Sequence, residues 1–78
     1  MKTVQISLNS IDKVKSFVNA ITQFEFDFDL ISGRYVIDAK SIMGIFSLDL
    51  SKPIDLALHT TSEDEVDSIM EILKPYLV

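Results

Sequence analysis

The sequence predicts a two-layer α+β fold, an open-faced β-sandwich. Two observations predict it. Four short segments alternate apolar with polar residues, and three others repeat their apolar residues at helical spacing. The resulting order is β-α-β-β-α-β-α. Each strand has one apolar and one polar side, so the sheet has one buried and one wet face, and the helices must cover the buried one.

Thr3 to Leu8 sets Val4, Ile6 and Leu8 against Thr3, Gln5 and Ser7, which reads as a half-buried strand. Asn9-Ser10 offers a helix N-cap. From Ile11 the period lengthens: Ile11, Val14, Val18 and Ile21 form one apolar stripe, with Phe17 beside it. Asp12 stands in the first turn, where a negative charge suits the helix dipole. Phe24, Phe26, Phe28 and Leu30 then alternate with Glu25, Asp27 and Asp29, predicting a second strand over Phe24–Leu30.

Ser32-Gly33 reads as a hairpin turn in which glycine takes positive φ. Tyr35, Ile37 and Ala39 belong to the returning strand. A short helix follows from Ser41 to about Leu48, then a polar loop from Asp49 to Pro53. Ile54, Leu56 and Leu58 alternate with Asp55, Ala57 and His59 as the fourth strand. Ser62-Glu63-Asp64-Glu65 has the pattern of a capping box, and Val66, Ile69, Met70 and Leu73 carry the last helix until Pro75 ends it near Lys74.

Seventy-eight residues suffice for one small domain over 1–78, with no room for a second core. The chain has no cysteine, which excludes thiolate zinc sites and argues against a secreted disulfide scaffold. The start of the chain carries no apolar run of signal-peptide length, and no stretch approaches the roughly 20 apolar residues of a membrane span. A cytoplasmic protein is expected. The net charge of −5 and the scatter of the seven Lys and Arg residues argue against nucleic-acid binding. Asp27 and Asp29 lie two apart on one strand, but no third ligand at a suitable spacing joins them, so no metal site and no cofactor are expected. With His59 as the single histidine, the makings of a catalytic centre are scarce, and no enzyme is expected.

The densest signal is the run Lys40-Ser41-Ile42-Met43-Gly44-Ile45-Phe46-Ser47-Leu48. It places a hydroxyl at a helix start and crowds more apolar side chains into a short helix than one face can bury, which points to a docking surface. This run and the element order resemble HPr, the histidine-containing phosphocarrier protein of the bacterial phosphotransferase system, in which a K-S-I-M-G-type run begins the second helix. The resemblance spans nearly the whole chain. It implies a four-stranded antiparallel sheet covered on one face by three helices.

HPr proteins carry phosphate on a histidine at the start of the first helix, within the pattern G-[IL]-H-A-R-P-A. Counting back from Ser41 without a gap, Ser10 stands at the place of that histidine, Asp12 at that of the arginine and Lys13 at that of the proline. The resemblance therefore implies a degenerate active site with no catalytic residue. Ser41 matches the serine that a dedicated kinase phosphorylates in many relatives. Ile42, Met43 and Phe46 match an exposed patch that docks on phosphotransferase components and regulators, with Lys40 before it and Phe17 extending it from the first helix. Ile45 and Leu48 are expected to face the core. The expected partners are a phosphotransferase component, an HPr kinase or a transcription regulator. Two other readings stand beside this one: a phosphocarrier with Ser10 or His59 as acceptor, and a homodimer closed by the Ile42–Met43–Phe46 patch.

Overall fold

The computed structural model describes residues 2–78. The chain folds as β1 (Lys2–Ile6), α1 (Ile11–Ile21), β2 (Phe28–Ser32), β3 (Tyr35–Asp38), α2 (Ile42–Phe46), β4 (Ile54–Leu58) and α3 (Glu63–Leu73). The strands form one antiparallel sheet in the order β1-β4-β2-β3. The helices pack on one face over a core that includes Ile6, Val14, Phe17, Phe28, Leu30, Ile45, Leu56 and Ile69. This is the open-faced sandwich that the alternation requires. On the opposite face Ala57 is also buried, shadowed between its cross-strand partners Thr3 and Asp29.

Three elements differ from the sequence reading. First, β2 begins at Phe28 rather than Phe24. The ladder has run out there: Asp27 accepts the last bond of β4, from His59 N–H at 3.0 Å, and Phe28 the bond from Ala39 N–H at 3.0 Å. With no strand opposite, residues 24–26 turn, and their apolar period serves a cluster of rings. Phe24, Phe26 and Phe28 stack with centroids 4.7 to 6.4 Å apart.

Second, the hairpin turns on Gly33-Arg34 rather than Ser32-Gly33, since Ser32 already pairs with Tyr35. Gly33 has φ +60 and is alone among the described residues in having positive φ, the pattern of a II′ turn with glycine first. Third, α1 is rotated about its axis relative to the expected stripe. Val14, Phe17 and Ile21 are buried, Val18 is half-buried and Ile11 is exposed. Burying the larger phenylalanine turns the helix toward that flank.

The helix ends behave as their cap residues predict. Ser10, Ser41 and Ser62 each accept from the backbone N–H three residues on, at 3.2, 3.2 and 3.4 Å. The capping box of α3 closes through a relay: Ser62 N–H donates to Thr60 Oγ1, and Thr60 Oγ1 donates to Glu65 Oε1. After Leu73 the chain turns back at Pro75 and pairs with β1, with Ser7 N–H donating to the Tyr76 carbonyl at 2.8 Å and Val78 N–H to Gln5 at 3.2 Å.

Candidate functional site

The site is built where α1 begins and α2 ends. β1 pairs Ile6 with Ile54, so the chain leaves the sheet there and enters α1 through Leu8, which is buried. Asn9, Ser10 and Ile11 are thereby brought against Phe46, Leu50 and Ser51 around one shallow, mostly apolar groove. Ile11 is 61% exposed, Phe46 41% and Met43 77%. Met43 and Phe46 are three apart on α2 and share its outer face. Ile45 alone of α2 is fully buried, Ile42 is half-buried against the core, and Leu48 lies half-buried beyond the helix. The short helix is thus two-faced.

The loop that forms the groove's far wall is held by Asp49, whose carboxylate accepts from Ser51 Oγ at 2.6 Å and Ser51 N–H at 3.1 Å. These bonds, the hydroxyl's first, hold the Asp49 carboxyl below its usual value of 3.8, with Lys52 adding a favourable charge.

Two residues expected at the docking surface do not lie there. Phe17 is fully buried and packs edge-on against Tyr76, centroids 5.7 Å apart. Lys40 points back into the fold. Its Nζ donates to the carbonyls of Phe24 at 2.7 Å and Phe26 at 3.2 Å and sits 5.7 Å from the Phe28 ring centroid. An ammonium satisfies carbonyls that lost their strand partners, so it is not a free cation for a partner. Ile11 and Leu50 were not expected at the surface. The signal for Ile11 was present, because a stripe through Val14, Phe17 and Ile21 leaves it on the helix flank.

At the start of α1, Ser10 Oγ is engaged as a cap, Asp12 is exposed and Lys13 is half-buried. Ser41 is exposed at the end of α2 away from the groove, and its Oγ accepts from Gly44 N–H. Gly44 makes room for this cap: a Cβ there would lie 3.2 Å from Ser41 Oγ and 3.4 Å from Ile37. His59 lies at the other end of the sheet, where Lys2 pairs with Leu58. Its Nε2 is 2.7 Å from Asp29 Oδ2, beside Asp27 and Asp38. Among the described residues no group of three or more His, Cys, Asp or Glu is placed to hold a metal ion. No helix among them is long and apolar enough to cross a membrane.

A four-stranded antiparallel sheet, three helices on one face, and a capped helix start beside a short two-faced helix define a βαββαβα open-faced sandwich with a helical rim. Residues 13–75 match the PTS-HPr family, described as the PTS HPr component phosphorylation site, and the chain belongs to that family. It is also similar to the crystal structure of HPr-C-His from Thermoanaerobacter tengcongensis, with a TM-score of 0.73 and 26% identity over 94% of this chain and 90% of that one. No curated protein sequence matches it significantly. Members of the family are phosphocarriers rather than enzymes, and they interact with other proteins of the phosphotransferase system.

Proposed function

We propose that this chain acts as a non-catalytic partner-binding member of the HPr family, a single domain over residues 1–78 working in the cytoplasm. It docks a phosphotransferase component, an HPr kinase or a transcription regulator on the rim formed by Ile11, Met43 and Phe46. The observation that carries this reading is the exposure of these three large apolar side chains, Ile11 and Phe46 lining one groove and Met43 sharing the outer face of α2 with Phe46. Clusters of this kind mark binding surfaces, and methionine and aromatic residues are enriched in interface cores.

The same rim speaks against phosphate relay. A helix N-terminus attracts phosphate, but Ser10 is the residue at this one, and a seryl phosphate ester lacks the lability of a phosphorylated imidazole. Asp12 adds a negative charge in the same turn. His59 is no better placed, at the far end of the sheet among Asp27, Asp29 and Asp38. Incubation with enzyme I and labelled phosphoenolpyruvate is expected to leave the protein without acid-labile label. Appearance of such label would overturn the non-catalytic reading. Binding is tested by titrating phosphotransferase components and regulators into the protein. Phe46→Asp is expected to abolish the complex, and a partner that binds this variant as well as the parent removes the rim from consideration.

Regulation at Ser41 is part of the same proposal. The hydroxyl is exposed, and a phosphate on it would place a dianion at the start of α2, two residues before Met43 and at the opposite end of the helix from Phe46. An HPr kinase with ATP is expected to modify Ser41 alone. Unmodified protein, alongside a fully modified HPr control, would refute it.

A further inference from the structure

The two edges of the sheet are finished differently. On β1 the edge is covered at its Gln5–Ser7 end: Ile6 bridges Leu77, and Val78 N–H donates to Gln5. On β3 none of the described residues plays this part. Ala39 N–H bonds the Phe28 carbonyl, so Phe28 and Ala39 are a hydrogen-bonded pair of the β2–β3 ladder. Such pairs alternate with non-bonded ones along an antiparallel ladder. Asp29 with Asp38 and Ile31 with Val36 are therefore the non-bonded pairs. The N–H and C=O of Val36 and the N–H of Asp38 consequently point out of the sheet, while the Asp38 carbonyl accepts from Ser41 N–H. Tyr35–Asp38 is short and carries the charge of Asp38, but it contains no lysine, proline or bulge, three of the devices that keep an edge strand single. Tyr35 is 65% and Val36 62% exposed, and both favour strands.

We propose that β3 pairs with β3 of a second copy of this chain, antiparallel about a two-fold axis at Val36, so that the two sheets become one. The register follows from the backbone. Keeping each side chain on its own face requires the axis to pass at a residue rather than between two. An axis at Ile37 would make Val36 and Asp38 the bonded pair, but the Asp38 carbonyl is already taken by Ser41 N–H. An axis at Val36 instead lets its outward N–H and C=O exchange both bonds with those of Val36 in the second copy. Val36 then faces Val36 across the axis, Tyr35 faces Ile37, and Arg34 faces Asp38. Arg34 is the only arginine in the chain and stands in an exposed turn. In this register, and not in one centred on Ile37, it meets the carboxylate of Asp38 in the other copy, twice by symmetry. Two such pairs oppose the mutual repulsion of chains that each carry −5. Four residues per strand make a small interface, so the dimer is weak and depends on concentration.

Sedimentation equilibrium of the full chain from micromolar to millimolar concentration tests this. The mass is expected to rise from 8.8 kDa toward twice that value. Val36→Lys and Arg34→Asp are each expected to weaken association by about tenfold or more, since every change counts twice in a symmetric contact. On the unaltered chain, exchange of the Val36 N–H is expected to slow as concentration rises while that of Ile37 stays constant. A constant mass of 8.8 kDa, or exchange at Val36 independent of concentration, overturns the proposal. So does a dimer that survives Val36→Lys but is lost in Phe46→Asp, which would place the contact on the α2 rim.

Discussion

Phe17 and Phe46 show how little a residue type says without its surroundings. Both are phenylalanines on helices, yet Phe17 is fully buried and Phe46 stands on the surface. Phe17→Ala is expected to cost about 3–5 kcal/mol in denaturant unfolding, because it leaves a cavity under α1. Phe46→Ala is expected to cost about 1 kcal/mol or less, with its effect appearing in partner binding instead. Lys40→Met keeps the apolar stem but abandons two carbonyls, and is expected to lose about 1.5–3 kcal/mol, the range for bonds to a charged group. Unfolding curves matching the parent would show that water replaces the ammonium without loss. Asp49 gives a pH signature. Its carboxyl is held below 3.8 by the Ser51 bonds, so ionised Asp49 favours the folded loop. That contribution is full above the unfolded value and is lost as pH falls through the lower folded one. An NMR titration should place the Asp49 midpoint below 3.8, and a midpoint at or above that value would mean the Ser51 bonds do not form in solution.

Elements were legible where local chemistry decides them. Serine N-caps mark all three helix starts, and each is engaged as its position requires. Ser41→Ala is expected to lose about 1 kcal/mol through the missing cap on α2. A short helix has few other bonds to hold it, so the loss should appear first as weakened amide protection at Gly44 and Ile45. Strand limits were less legible. The alternation of Phe24, Phe26 and Phe28 is real, but a strand needs a neighbour, and β4 ends before it can supply one. The pairing of Leu77 with Ile6 was likewise invisible, since two residues have no period to read.

At the scale of the molecule, the sheet separates two ends that the sequence lists only in order. The proposed docking rim lies where Ile6 meets Ile54, and His59 lies where Lys2 meets Leu58. His59→Ala is therefore expected to leave partner affinity unchanged. Weakened binding by this variant would tie the far end of the sheet to the docking function.

The sequence by itself determined the α+β class, the order of elements, the helix caps and the family resemblance, because periodicity and capping are local properties of neighbouring residues. It also marked Met43 and Phe46 as surplus to one buried face. Only the tertiary structure decided that Phe17 is buried, that Lys40 turns back into the fold and that Ile11 stands on the rim, and that residues 76–78 pair with the edge of β1 and not with that of β3. Those outcomes depend on how far α1 turns about its own axis and on where each strand finds a partner. Both are settled by packing between segments distant in the chain, which no local pattern encodes.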